Sequence, residues 1–558
     1  EILEKYYKKQ APTNPDYREQ LAVLFTVPDV KLQEKVANLL TTYFNHEGLP
    51  EVIAPYRDYL KGKAQDLLAT LSPSENSENS ENSHSSHTPK IARAARTLTP
   101  EDLLFLLGDC LRERTAGTID LFFEGLVQLQ ESLPANYTKE LAPYLKKLMK
   151  SHYLDSVTTI IKGFLYCYSH QKPLEIPSYQ YTYEESNALR EKLDEAAFEE
   201  YLLWGRLYNH KTFMPFLFHK AQLTLKYLNE KEVLPFLSTP THEPFYIEAE
   251  IFVDKLLQYE AVNKQPDLHD LIVACNRLLF KEVSAAAKEK ARQLKGDYAK
   301  AIQYYLGLTD EIQLTEELLP LWAQITRIKH PNKEFAEFAT TSAKNILGVV
   351  KPYLIDYGWQ EDDGHKEFTF GHHTEWVGVS YTDLKNAFPY RYYNANGGCS
   401  PISTIFEYKL SLNPHYPDAM LCDYISTWVT GNEVREIRNM SLPLEVLLRY
   451  DIRVHHSGWL YIGTALLFEK RPSRDLAYEY ICQAIACEED LSYLKTYLAQ
   501  ALAWDFLPIT RFIEFLDRPT HDAKLKAFGK EVIALYLEEA EKQDKLPKNH
   551  KKLAAFGD

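Results

Sequence analysis

The chain has 558 residues, is 45% hydrophobic, and carries 78 acidic against 63 basic residues for a net charge of −15. That length allows two to four domains with buried cores. The charge disfavours non-specific attachment to a nucleic acid, and no run of about eighteen apolar residues is present to span a membrane. The seven cysteines are scattered singly with no CxxC pair, which argues against a disulfide or zinc framework. The opening EILEKYYKKQ lacks a hydrophobic signal core, so the expectation is a cytoplasmic protein without a membrane partner. Because the chain opens on Glu1 rather than Met, this expectation leaves room for a removed N-terminal segment.

Residues 1–71 read as a small helical region, in which VKLQEKVANLLTTYFN and VIAPYRDYLKGKAQDLLATL carry apolar residues at helical spacing. A low-complexity linker, 72–92, follows with the run SPSENSENSENSHSSHTPK, whose repeated Ser-Glu-Asn unit has nothing apolar to anchor it. A helical region then extends from 93 to 349. At its start, Thr99 is a predicted N-cap, Pro100 sits in the first turn, and Glu101 and Asp102 lie where the helix dipole favours negative charge. Leu103, Leu104, Leu107 and Leu111 form the apolar stripe of that helix, and Ala249, Phe252, Val253, Leu256 and Tyr259 form that of a later one. Helices of twelve to sixteen residues joined by short polar connections favour antiparallel neighbours, and their number suggests a HEAT- or armadillo-like α-α superhelix.

The helical pattern breaks over 350–400. Tyr353, Ile355, Tyr357 and Trp359 alternate, KEFTF alternates next, and EWVGVSY supplies a third extended run. Asp363-Gly364 and Gly371-His372 suit two-residue turns, so the expected structure is a small antiparallel β-meander insertion, with Asn396-Gly397 as a possible extension. Helices resume over 401–558, where Leu476, Tyr480, Ala484 and Ile485 mark a buried stripe.

Two segments, STPTHEPFYIEAEIFVDKLLQYEAVNKQPDLHDLIVACNRLLF and VHHSGWLYIGTALLFEKRPSRDLAYEYICQAIACEEDLSYLKTYLAQAL, are similar to an uncharacterised bacterial helical-repeat group, a HEAT-like domain-of-unknown-function family. The features that carry the resemblance are the Thr-His turn before the helix at Ile251 to Tyr259 and the Gly-Trp-Leu opening at Gly458 to Leu460. It implies a helical fold and no catalytic or cofactor residues.

The densest potential ligand set is GHKEFTFGHHTEW, Gly364 to Trp376. In a meander, His365 lies at the opposite end of the middle strand from His372 and His373. A strand of that length separates the ends by roughly 15 Å, too far for a single ion with bonds near 2.1 Å. Solvated turn histidines are therefore favoured over a metal site, for which partners would have to come from His415, His455 or His456. The tip formed by His372, His373 and Trp376 remains an interaction candidate. His455-His456 and Thr241-His242 read as pre-helix turns, and Cys399 in NGGCSPIS lacks any cysteine-enzyme signature.

GxxxxGK[ST], GxGxxG after a strand, HExxH and GxSxG are all absent. The sequence thus assigns no catalytic residue, cofactor or metal, and favours a non-catalytic scaffold or adaptor that binds a protein partner through a curved helical surface and the β insertion. The alternatives are a metal-dependent enzyme or metal-binding protein using the histidines of 364–456, and a HEAT-like nucleic-acid-binding protein. The acidic balance disfavours the latter.

Overall fold

The computed structural model describes residues 98–150, 155–175, 215–281, 283–346, 348–352, 354, 357–362, 365–370, 403–418, 420–422, 425, 440–518 and 522–556, with parts of 18–68. Two compact units are present, Glu1–Ser86 and His87–Asp558.

In the first unit, helix α1 (Val30–Tyr43) turns Val36, Ala37 and Leu40 onto Leu21, Phe25 and Leu49. Gln33, buried in the same cluster, donates from Nε2 to the Phe25 carbonyl at 2.7 Å.

The second unit is mainly helical. Its first helices are α2 (Pro100–Arg112), α3 (Ala116–Leu129), α4 (Tyr137–Lys150) and α5 (Ser156–His170). The expected start of α2 is present as a capping box: Thr99 Oγ1 accepts from the Asp102 amide at 3.2 Å, and the Asp102 carboxylate accepts from the Thr99 amide at 2.8 Å. Of the expected stripe, Leu103 and Leu107 are buried with Cys110, while Leu104 and Leu111 lie at the margin. Then come α6 (Pro215–Glu230), α7 (Ala249–Ala261), α8 (Leu268–Arg277), α9 (Ala285–Ala291), α10 (Ala299–Tyr305) and α11 (Leu319–Lys329). On α7 the buried residues are Ala249, Phe252, Val253, Leu256 and Tyr259, the face its sequence period predicts.

Sequence neighbours pack in pairs, α2 on α3, α4 on α5 and α10 on α11. A second set of contacts runs across them: α6 packs on α3 and α5, and α8 packs on α6 and α11.

Strands β1 (Tyr357–Asp362) and β2 (His365–Phe370) form an antiparallel hairpin in which Asp362 pairs with His365. That register pairs the residues on either side of the expected Asp363-Gly364 turn, which itself lies outside the described residues. Tyr357 and Trp359, two residues apart and so on the same side of β1, anchor it to the C-terminal helices. Tyr357 donates to the Gln500 side chain at 3.1 Å, and Trp359 stacks on Trp504 at 6.0 Å between ring centroids. The third strand of the expected meander and the Asn396-Gly397 turn lie outside the described residues.

The remaining helices are α12 (Ser403–Ser411), α13 (Ser441–Arg449), α14 (Gly458–Leu466), α15 (Arg471–Ala486), α16 (Ser492–Ala503), α17 (Ile509–Leu516), α18 (Ala523–Ala540) and α19 (His550–Ala554). They pack α13 and α14 on α15, α14 on α16, and α16 on α18. On α15, Tyr480, Ala484 and Ile485 of the expected stripe are buried, joined by Ala477 and Ile481, whereas Leu476 is partly exposed.

One hydrophobic cluster extends from Leu98 to Leu553. Helix α12 returns to α3, so residues far apart in sequence share this core. In a simple solenoid each repeat touches only its neighbours; the α12–α3 contact goes beyond that rule. Among the described residues, no helix is long and apolar enough to cross a membrane.

Candidate functional site

Helices α6 and α8 bring His219, Asp267 and His269 together. Asp267 is the N-cap of α8, and its Oδ1 accepts from the amides of His269 and Asp270, each at 3.0 Å. Two of the helix's otherwise unpaired N–H groups are thereby satisfied, and the carboxylate is fixed in orientation. Its other oxygen, Oδ2, faces His219 Nε2 at 2.9 Å.

The His219 and His269 rings are 4.5 Å apart between centroids. One ring nitrogen from each and one Asp267 oxygen all lie within 4.8 Å of one another. His269 Nε2 is buried without a hydrogen-bond partner in the structure.

Electrostatics divide the two rings. Burial opposes charge on His219, but its hydrogen bond to Asp267 and the negative charge there outweigh burial and raise its pKa. Burial and the neighbouring His219 push His269 down to about 4. Asp267 is held below the ordinary carboxylate value because its bond and charge interactions with the histidines outweigh burial.

A buried ionic knot lies on the core side of this cluster. Lys220, next to His219 on α6, is 3.2 Å from Asp120 of α3 and donates to Ser238 Oγ at 2.7 Å. Ser238 passes a hydrogen bond to Asp270 at 2.5 Å, and Asp270 also accepts from the Leu237 amide at 2.6 Å. Arg277 of α8 binds Asp120, the Ser238 carbonyl at 2.6 Å and the Ser411 carbonyl at 2.8 Å. Tyr408 of α12 donates to Asp120 at 3.2 Å. Two acids thus face two bases, and their remaining polar capacity is taken up by hydroxyl and backbone groups. A buried arrangement of this kind requires that completeness. A cavity of about 20 Å³ touches His219, His269, Lys220 and Asp270 and has room for a water-sized species.

The histidines proposed from sequence occupy different surroundings. His415 Nε2 bonds the Leu278 carbonyl at 3.0 Å, and His455 Nε2 bonds the His415 carbonyl at 3.2 Å. Since only a protonated nitrogen can donate to a carbonyl, these are N–H groups rather than lone pairs. Burial lowers the His415 pKa to about 4 and lowers that of His455 as well. Asp418 is committed to the backbone, accepting from the His455 amide at 3.0 Å and the Gly458 amide at 2.7 Å at the start of α14. His456 lies edge-on to Tyr493 at 6.0 Å, with its buried Nδ1 unpartnered. His372, His373, Trp376 and Cys399 lie outside the described residues. In the Thr241-His242 turn, both amides bond the Tyr246 carbonyl at 2.9 Å, and Thr241 Oγ1 accepts from the Glu248 amide at 2.8 Å.

Residues 93–346 match the family model described as Domain of unknown function (DUF7824), and residues 360–556 match Domain of unknown function (DUF7825). Two domains of unknown function cover most of the chain. No curated protein and no solved structure matches it. The His219–Asp267–His269 cluster and the ionic acids and bases lie in the DUF7824 segment, whereas His415, His455 and His456 lie in the DUF7825 segment. Tyr408 and Ser411, from the second segment, complete the knot of the first.

The DUF7824 segment also carries a shallow surface groove of about 530 Å³ between the C-terminal ends of α3 and α7. Leu129, Leu234 and Ala261 form its apolar lining, and Val233 and Val262 stand 49% and 54% exposed at its edge. Gln128 donates to the Val233 carbonyl at 2.8 Å and Gln130 to the Glu232 carbonyl at 2.6 Å, so the edge is tied to α3.

His219, Asp267 and His269 are not legible as a group in the sequence. The available signal was the Asp-Leu-His spacing in PDLHD, but the second histidine lies 48 residues upstream on another helix.

Proposed function

We propose that this chain is a non-catalytic scaffold or adaptor and that the α3–α7 groove receives an uncharged, apolar segment of a partner protein. The observation that carries this reading is the groove's lining, which contains no charged residue on a chain that is 25% charged. Charge depletion around exposed apolar side chains is the composition of an interface core. The tethered edge supports it further, since a partner would meet a surface already held in place.

A HEAT-like superhelical arrangement, the completed β-meander, a bacterial origin and a cytoplasmic location are the finer parts of the same reading. Of the histidines behind the competing metal reading of 364–456, His415 and His455 are each oriented by an Nε2 bond to a backbone carbonyl, and His372 and His373 lie outside the described residues.

The test is mild crosslinking and recovery of partners with the full chain and with a Val233→Asp, Val262→Asp double variant. Both valines are substantially exposed, so the substitutions should leave folding nearly unchanged. A partner recovered with the native chain and lost with the variant supports the reading. Recovery of no specific partner, or equal recovery by both proteins, overturns it.

A further inference from the structure

We propose that His219, Asp267 and His269 form a binding site for one divalent transition-metal ion, with zinc the ion its ligand set best suits. Two imidazoles and one carboxylate are a donor set for such ions, and a three-ligand site leaves a position for water. The cavity of about 20 Å³ that touches both histidines supplies space for that water.

The spacing is within reach of coordination. Bonds of about 2.0–2.1 Å in tetrahedral geometry set neighbouring ligand atoms roughly 3.4 Å apart. The His219–Asp267 pair, at 2.9 Å, must open by a few tenths of an ångström, and the widest separation, at most 4.8 Å, must close by side-chain rotation. Neither change needs the helices to move, because both histidines carry their nitrogens at the end of a rotatable side chain.

Three features distinguish this cluster from a simple ion pair. Asp267 divides its work: Oδ1 is held by two amides, which leaves Oδ2 aimed at His219. Outer hydrogen bonds that orient a ligating carboxylate are a usual part of a metal site. His269 has a buried nitrogen for which the structure provides no partner, an arrangement that is costly without a ligand. Finally, the neighbouring bases are already occupied, since Lys220 faces Asp120 and Arg277 binds Asp120, so neither competes for Asp267.

A plain histidine–carboxylate hydrogen bond explains the His219–Asp267 contact but leaves His269 Nε2 without a partner. Metal binding uses all three groups and would displace the His219 proton on coordination.

The test uses the full chain, loaded with zinc, dialysed against metal-free buffer and assayed by elemental analysis, with cobalt as a spectroscopic probe. His219→Gln and His269→Gln each remove a ligand, while Asp267→Asn removes the carboxylate and keeps a side chain able to cap α8. The expected result is about one zinc per chain lost in each variant, or retained with affinity at least tenfold weaker. Four-coordinate cobalt absorption should be present in the native protein and lost in the variants, while far-ultraviolet circular dichroism remains unchanged for Asp267→Asn.

Absence of stoichiometric zinc from the native chain, or native-like zinc content and cobalt spectra in folded variants, overturns the assignment. Zinc held elsewhere on the chain would survive in all three variants and so would not mimic this site. Partner recovery by the groove is read separately, so either proposal can fail alone.

Discussion

The two buried histidine clusters resolve the same chemical problem in opposite ways. At His415 and His455 the imidazoles donate to carbonyls, and Asp418 accepts from amides, so side chains complete the backbone of α14 and its approach. At His219, Asp267 and His269 the side chains face one another, and the backbone consumes only Asp267 Oδ1. The first cluster commits both Nε2 groups and the Asp418 carboxylate to the backbone, while the second holds two imidazoles and a carboxylate with ligand atoms within 4.8 Å of one another. A histidine count does not distinguish them; the identity of each partner does.

The sharpest way to break the contrast is through the ionic knot behind the second cluster. Arg277→Leu leaves Asp120 buried with Lys220 alone to balance it, and removing one partner of a buried ion pair costs about 3–5 kcal/mol. Lys220 retains part of the balance, so the lower end is expected, read as a fall in the urea midpoint. An unchanged midpoint would show that the knot contributes little to holding α3, α6, α8 and α12 together.

Acid should act on the first cluster next. His415 titrates at about 4 in the folded chain because it is enclosed, with the charges of Lys281 and His455 acting in the same direction and the Leu278 carbonyl opposing them. The unfolded chain, with an ordinary pKa near 6.5, binds the proton first. Stability from keeping His415 neutral is therefore present above about pH 6.5 and is lost as pH falls toward 4, by roughly 2–3 kcal/mol. Urea titrations at pH 7 and pH 4 should show a smaller difference for His415→Asn than for the native chain. Equal differences would mean that this ring does not govern the acid response.

Asp418→Ala should cost about 2 kcal/mol by leaving the His455 and Gly458 amides without their acceptor. Asp418→Asn, which keeps one carbonyl oxygen, should cost less, and identical midpoints for the two would show that water replaces the carboxylate. Away from both clusters, Thr99→Ala should remove the α2 cap for about 1 kcal/mol. That loss, measured by urea denaturation, sets the scale for an ordinary capping bond; a larger loss than at Asp418 would remove the special standing given to the first cluster.

Much of the fold was legible because its signals are local. The Thr99 cap, the α7 face and the pairing of β1 with β2 each depend on residues within a few positions of one another, where helix and strand periods apply directly. Even the anchoring of β1 was half visible, since Tyr357 and Trp359 share a side by alternation, although their partners Gln500 and Trp504 were not. The site was far less legible. His372 and His373 attracted attention because they are adjacent in sequence, whereas His219 and Asp267 are 48 residues apart and meet only through packing of α6 with α8.

By itself, then, the sequence determined where helices begin, which faces they bury and where the hairpin turns, because those follow from short-range sterics, capping and hydrophobic period. Only the tertiary structure decided that α12 returns to α3, that Tyr408 and Ser411 complete a charge network begun by Asp120, and that His219 faces Asp267. Such pairings are selected by the whole core, in which a buried charge is tolerated only where a distant element supplies its partner.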